Sequence, residues 1–152
     1  MEDLSLHILD IAENSVRAGA KIIIIKLQED QVNNKMTLTI EDDGKGMDTK
    51  TVNKVLSPFF TTKDTKDVGL GLSLLSQAAS QAGGQMKIDS EKGKGTKVTA
   101  DFQLSHPDMK PTGDIVATMT TLIAGNPSIQ FILDYKKGDY SYCFDSFKQC
   151  RQ

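Results

Sequence analysis

Hydrophobic residues follow two periodicities along the first two thirds of the chain. In residues 4–18 they recur every three or four positions, which predicts an amphipathic helix. Residues 21–27 and 35–41 are rich in β-branched side chains and are joined by a polar stretch, which predicts an antiparallel pair of strands. The same signals continue along the chain and predict, in order, helices at 48–56 and 70–82 and strands at 86–90 and 96–102.

The pattern changes after this point. Residues 105–111 are polar and contain two prolines, which predicts a linker. Beyond it we expect a helix at 114–124 and a β-hairpin with strands at 129–135 and 140–144. We therefore divide the chain into a domain at 1–104 and an extension at 105–152, and we expect the extension to pack on the sheet of the first part. The alternative is an exposed docking module.

Composition excludes several classes of protein. A chain of 152 residues with 38% hydrophobic and 25% charged residues suits a globular protein with one core, and its net charge of −2 does not favour nucleic acid or anionic lipid. We find neither a secretion signal at the start nor an apolar run long enough to span a bilayer, so we expect a cytoplasmic protein without a membrane or nucleic-acid partner. Cys143 and Cys150 are expected to be reduced thiols.

A polar stripe runs along the first predicted helix. His7, Asp10, Asn14 and Arg17 are spaced three, four and three residues apart, which places them on one helical face. An amide oxygen such as that of Asn14 is a suitable ligand for Mg²⁺, and Arg17 could face phosphate. Asp10 could hold a metal-bound water or accept a proton from a nucleophile. Taken alone, such a stripe is more typical of a solvated surface helix.

Two glycine-containing fragments follow predicted strand or loop residues. In residues 42–47, Asp-Asp-Gly-Lys-Gly-Met, a carboxylate at a strand end could accept a hydrogen bond from an exocyclic amine, and Gly44 and Gly46 could let a base approach the backbone. In residues 67–73, Gly69 and Gly71 open a helix whose free amides could bind phosphate. Either fragment by itself is also compatible with an ordinary turn.

Taken together, the fragments resemble a known ATP site. Residues 10–14, 42–47 and 67–73, in this order and spacing, are similar to the site shared by histidine kinases, gyrase B-type topoisomerases, mismatch-repair ATPases and anti-sigma-factor kinases. Residues 56–63, Leu-Ser-Pro-Phe-Phe-Thr-Thr-Lys, resemble the phenylalanine-containing box of histidine kinases with short ATP lids, and residues 91–96 resemble the turn that closes such sites. The sequence contains no Walker-type phosphate loop.

This resemblance covers residues 4–103 and implies both a fold and a ligand. The fold would be α+β, a two-layer α/β sandwich with a mixed, mostly antiparallel sheet and helices on one face. The cofactors would be ATP and Mg²⁺, with adenine on Asp42 rather than Asp43, the metal on Asn14 and a catalytic role for Asp10. The other positions that the resemblance implies in nucleotide binding are Arg17, Gly44, Gly46, Met47, Phe60, Lys63, Gly69, Leu70, Gly71, Leu72 and Thr96.

The sequence leaves three functions open. Most histidine kinases carry a dimerisation unit with a phosphorylatable histidine before the ATP domain, and no such unit precedes residue 4. We therefore expect a stand-alone protein kinase that phosphorylates a partner protein in trans, with His7 and His106 as poor acceptors. An ATPase or ATP-gated conformational switch, and a nucleotide-sensing module without turnover, are the alternatives. A homodimer is also open, because the hairpin edge could pair while Lys136 and Lys137 at its turn would discourage pairing.

Overall fold

The computed structural model describes residues 3–56, 71–107, 109 and 112–147. In this part of the chain the helices are α1 (Leu4–Arg17), α2 (Thr49–Leu56), α3 (Gly71–Gln81) and α4 (Ile115–Gly125). The strands are β1 (Ile22–Asp30), β2 (Lys35–Asp42), β3 (Met86–Glu91), β4 (Gly95–Gln103), β5 (Gln130–Lys137) and β6 (Tyr140–Asp145). Each element expected from the periodicities is present, with ends that differ by a few residues.

The described strands form one sheet in the order β3-β4-β2-β1-β5-β6. All neighbouring pairs are antiparallel except β1 and β5, which are parallel. Parallel pairing requires a crossover between strands, and α4 precedes β5 in the chain. The sheet is therefore mixed and mostly antiparallel, and the α+β sandwich expected from the resemblance is confirmed.

Alternation along the strands places the core on one face of the sheet. In β1 the side chains of Ile23, Ile25 and Leu27 are fully buried, whereas Ile24 is half-buried and Lys26 is exposed. The apolar stripe of α1 packs on the buried face, together with the apolar residues of α3 and α4. The helices therefore share one face of the sheet, and the other face carries most of its charge.

The carboxyl-terminal hairpin lies on the main sheet. β5 pairs with β1 along its whole length, from Gln130 opposite Ile22 to Lys137 opposite Glu29. The phenolic hydroxyl of Tyr135 adds a side-chain bond, donating to the Glu29 carboxylate at 2.7 Å. Backbone and side-chain contacts therefore join the extension closely to the first part of the chain. The domain boundary at residue 104 stays a prediction.

One expectation about the hairpin was wrong. Cys143 in β6 is disulfide-bonded, where we predicted a reduced thiol. The prediction rested on the compartment alone and used no geometry, which is what decides whether two thiols can pair. Cys150 lies outside the described residues. None of the helices in the described ranges combines the length and apolarity that a bilayer crossing requires.

Candidate functional site

A pocket opens where the carboxyl-terminal half of α1 faces the end of β2, the start of β4 and the start of α3. Six residues expected from the sequence line it, although they come from four separate parts of the chain: Asn14, Asp42, Gly46, Met47, Leu72 and Thr96. The other lining residues are Ile11, Ser15, Ala18, Ile40, Lys45 and Val98. Phe60, Lys63, Gly69 and Leu70, also expected here, lie outside the described residues.

The pocket has apolar walls and one polar end. Ile40 of β2 lies directly opposite Val98 of β4, and two residues along the same face Asp42 lies opposite Thr96. Leu72, at the start of α3, is almost fully buried and adds to the apolar lining. An apolar slot with few convergent polar groups suits a flat ring that carries polar atoms on one edge.

The carboxylate of Asp42 is held by one donor on each oxygen. The Ser15 hydroxyl donates to Oδ2 at 2.6 Å, and the Gly44 amide donates to Oδ1 at 2.8 Å. Each carboxylate oxygen has further lone pairs, so Asp42 can still accept a hydrogen bond from a ligand. Ser15 is 4% exposed and lies one turn after Ile11. Sequence reasoning missed it, although its position beside the apolar stripe was a usable signal.

The adjacent carboxylate, Asp43, has a different task. Its Oδ1 accepts from the amides of Lys21 at 2.7 Å and Ile22 at 3.0 Å, so it fastens the end of β2 to the start of β1. Partial burial raises the pKa of Asp43, but the amide hydrogen bonds from Ile22 and Lys21 outweigh this and hold the pKa below its ordinary value. Asp43 is not among the described residues that line the pocket.

Gly44 and Gly46 are required by contacts within the protein. A Cβ on Gly46 would lie 2.0 Å from the carbonyl oxygen of Glu91, and one on Gly44 would lie 2.9 Å from that of Ala18. Gly46 also has a φ of 71°. The space that a Cβ would fill is occupied by the turn between β3 and β4 and by the end of α1. That either glycine also makes room for a base stays a prediction.

A serine joins these segments at the polar end of the pocket. The Ser90 hydroxyl accepts from the Met47 amide at 2.7 Å, donates to the Gly95 carbonyl at 3.0 Å and lies 2.8 Å from Oγ1 of Thr96. Sequence reasoning did not single out Ser90. Its place in β3 gave a signal, because alternation puts it on the same face as the core residues Met86 and Ile88.

In the side-chain amide of Asn14 the oxygen has a hydrogen-bond partner and the nitrogen has none among the described residues. The Arg17 guanidinium donates to its Oδ1, and its Nδ2 is buried without a hydrogen-bond partner. A buried, unpaired amide costs about 1–3 kcal/mol, which is typical of a group that a ligand completes. Arg17 is exposed and contacts Asn14 rather than lining the pocket.

Asp10 lies where α1 meets the start of α3. It is exposed, and a Cβ added to Gly71 would lie 3.0 Å from the Asp10 Cβ, so the two helices approach closely at this point. The first amides of a helix lack intrahelical partners and favour anions. No group of three or more His, Cys, Asp or Glu side chains in the described ranges could hold a metal. A cation here would therefore take ligand oxygens from other sources, such as the amide of Asn14, water or phosphate, as Mg²⁺ commonly does.

Comparison with known proteins identifies the class to which this fold and pocket belong. The model of the family described as histidine kinase-, DNA gyrase B-, and HSP90-like ATPase matches residues 2–106, and the chain belongs to this family. It contains an ATP-binding domain of the histidine kinase type.

Individual relatives are sensor proteins and kinases. A protein of Shewanella frigidimarina, provisionally named a sensor protein, is 40% identical over 71% of this chain and 16% of its own length. Sporulation kinase C of Bacillus subtilis is 28% identical over 58% of this chain and 20% of its own length. Sensor histidine kinase ZraS of Escherichia coli is 27% identical over 72% of this chain and 23% of its own length. The chain thus spans less than a quarter of the length of these relatives.

Proposed function

We propose that the chain is a Mg-ATP-dependent protein kinase that transfers the γ-phosphate to a partner protein in trans. One observation carries the proposal: α1, β2, β4 and α3 together form an apolar pocket that ends in the carboxylate of Asp42. Relatives named as kinases support the reaction class.

In this proposal the adenine ring enters the apolar slot. Ile40 and Val98 contact the ring from the sheet, and Leu72 contacts it from α3. Asp42 accepts from the exocyclic amine with the lone pairs that Ser15 and Gly44 leave free. The two existing hydrogen bonds hold the carboxylate in place before the nucleotide arrives, which lowers the cost of ordering it on binding.

The residues of α1 fit a magnesium-bound triphosphate. Asn14 would hold Mg²⁺ through its side-chain oxygen, which the Arg17 guanidinium contacts in this structure, because an amide oxygen is a suitable ligand for this ion. The ion would supply neutralisation of the phosphate charge. Asp10, beside the start of α3, holds a water or accepts the proton of the attacking group, and Arg17 turns from Asn14 toward phosphate. Lys63 and Gly69, proposed as further phosphate contacts, lie outside the described residues.

The phosphate acceptor is proposed to lie on another protein. The sequence contains two histidines, His7 and His106. His7 is 3% exposed and is part of α1 itself, where an in-line approach to the γ-phosphate is blocked by the helix. Neither histidine lines the pocket within the described residues.

Transfer of label from the γ-phosphate tests the proposal. The protein is incubated with ATP labelled at the γ-phosphate, magnesium and a fractionated extract of the source cells, and the polypeptides are then separated. We expect label on a second polypeptide, with none when Asp42→Ala replaces the wild type. Asp10→Asn should bind ATP but transfer label slowly, because it keeps the shape of the side chain and removes the base.

The alternatives give different results in the same assay. Steady release of free phosphate without labelled protein contradicts the kinase and indicates an ATPase or ATP-gated switch. Tight ATP binding with neither product also contradicts the kinase and indicates a nucleotide-sensing module. An absence of ATP binding by the magnesium-loaded wild type rejects the site as a whole.

A further inference from the structure

The hydroxyl of Ser90 has all of its hydrogen-bonding capacity in use. A serine hydroxyl offers one proton and two lone pairs. The Met47 amide can only donate, so it takes one lone pair, and the Gly95 carbonyl can only accept, so it takes the proton. One lone pair of Ser90 remains for the third neighbour.

That neighbour is the Thr96 hydroxyl, whose Oγ1 lies 2.8 Å from the Ser90 Oγ. Since Ser90 has already used its proton, Thr96 must be the donor in this contact. The single proton of Thr96 therefore points at Ser90, and Thr96 faces the pocket with lone pairs only. Opposite it on β2, Asp42 offers a carboxylate, which when ionised also only accepts.

We infer that Ser90 is a specificity-determining positioning residue for the nucleotide base. By fixing the direction of the Thr96 proton, it makes the facing pair of Thr96 and Asp42 accept hydrogen bonds from a ligand without donating any, whereas the donors Asn14 and Lys45 line other parts of the same pocket wall. Where this pair faces position 6 of a purine, it favours an amino group there and disfavours a carbonyl. The inference rests on the proposed ATP site and adds a determinant that does not itself line the apolar slot.

The surroundings of Ser90 explain why the proton direction is stable. Gly46 and Gly95 both approach neighbouring backbone too closely for a Cβ, which fixes the Met47 amide and the Gly95 carbonyl relative to β3. Neither backbone group can exchange donor and acceptor roles. Reversal of the Ser90–Thr96 bond would leave the Gly95 carbonyl without the Ser90 proton, and a lost buried hydrogen bond is costly.

Paired titrations with ATP and inosine triphosphate test the inference, because the two nucleotides differ at position 6 and in the proton at N1. Calorimetry with magnesium is done on the wild type, Ser90→Ala, Ser90→Thr and Thr96→Val. In Ser90→Ala the Thr96 proton is free to turn into the pocket, so we expect the ATP-to-inosine-triphosphate affinity ratio to fall about three- to tenfold, the value of one hydrogen bond. Ser90→Thr keeps the hydroxyl and should retain the wild-type ratio.

Thr96→Val decides the question even if Ser90→Ala does not fold. If Thr96 accepts a hydrogen bond from the base, its loss should weaken ATP binding and leave inosine triphosphate binding unchanged or stronger. If Thr96 donates, the opposite result is expected, and that result overturns the inference. Equal weakening of both nucleotides in Ser90→Ala, as expected from a merely structural role, also overturns it. The double variant should match Thr96→Val alone, because Ser90 acts through Thr96. Failure of the wild type to bind ATP would instead reject the proposed function.

Discussion

At the scale of single residues, two adjacent aspartates at the end of β2 show how position decides chemistry. Successive side chains of a strand point to opposite faces. Asp42 therefore shares the buried face with Ile40 and meets Ser15, whereas Asp43 turns away and binds the amides of Lys21 and Ile22. The Asp42 carboxylate keeps lone pairs for a ligand, and the Asp43 carboxylate accepts hydrogen bonds from the backbone.

This division predicts opposite effects for the matched variants Asp42→Asn and Asp43→Asn. Asp42→Asn places an amide donor at the polar end of the pocket and removes a charged acceptor, so ATP affinity should fall about 10- to 100-fold. Asp43→Asn should leave ATP affinity unchanged and lower the free energy of unfolding by about 1 kcal/mol. Calorimetry and urea denaturation measure the two quantities. A loss of ATP affinity in Asp43→Asn with little effect in Asp42→Asn would show that the adenine contact belongs to Asp43 and not to Asp42.

The lowered pKa of Asp43 also predicts how stability depends on pH. A carboxyl whose pKa is lower in the folded state stabilises the protein above the ordinary aspartate value of about 4. The stabilisation is lost as the pH falls through the lower, folded-state pKa. The difference in free energy of unfolding between wild type and Asp43→Asn should therefore be constant at neutral pH and shrink in acid. A difference that grows below about pH 4 would contradict this account.

At the scale of elements, the turn between β3 and β4 packs against the loop that carries Gly46 and Met47 beside the pocket. Gly46 and Gly93 both have positive φ, near 71° and 85°. A Cβ on Gly46 would meet the Glu91 carbonyl, whereas one on Gly93 would meet nothing within 4 Å. The pair thus separates the cost of a left-handed backbone from the cost of a clash.

We expect Gly93→Ala to lower the free energy of unfolding by about 1 kcal/mol and to leave ATP affinity intact, because only the backbone conformation is disfavoured. Gly46→Ala should cost clearly more and should weaken ATP binding, since the loop carrying Met47 must move away from Ser90. Thermal unfolding and calorimetry on both variants measure this. Equal losses of stability in the two variants would show that the loop can move without cost.

These elements also show what can be predicted from sequence and what cannot. Helix and strand positions follow from periodicity, which is local, so α1 and β2 were predicted almost to the residue. β1 continues to Asp30 because it pairs with β2 up to Lys35, a contact that its polar composition did not indicate. Ser15 and Ser90 were missed because a serine becomes informative only when its partners across the fold are known.

At the scale of the whole molecule, the hairpin and α4 complete the sheet and its helical layer. The Ser5 amide donates to the Thr112 carbonyl, and the Thr118 hydroxyl donates to the Ser5 carbonyl, so the extension contacts the start of α1. Burial and the neighbouring Glu29 raise the pKa of Tyr135 to about 12. Its hydroxyl therefore stays protonated into alkaline solution and keeps its bond to Glu29, which fastens β5 to β1.

Because of these contacts, we expect the two parts of the chain to unfold together. Phe131 in β5 is fully buried in the common core, so Phe131→Ala should lower the free energy of unfolding by about 3–5 kcal/mol. Val116 in α4 belongs to the same extension but is 72% exposed, and Val116→Ala should change stability by less than about 0.5 kcal/mol.

Urea denaturation is followed by far-UV circular dichroism and, separately, by release of a fluorescent ATP analogue. If the extension is part of one cooperative unit, Phe131→Ala shifts both transitions to the same lower urea concentration. If it is a separate docking module, the analogue stays bound at urea concentrations where the circular dichroism has already changed.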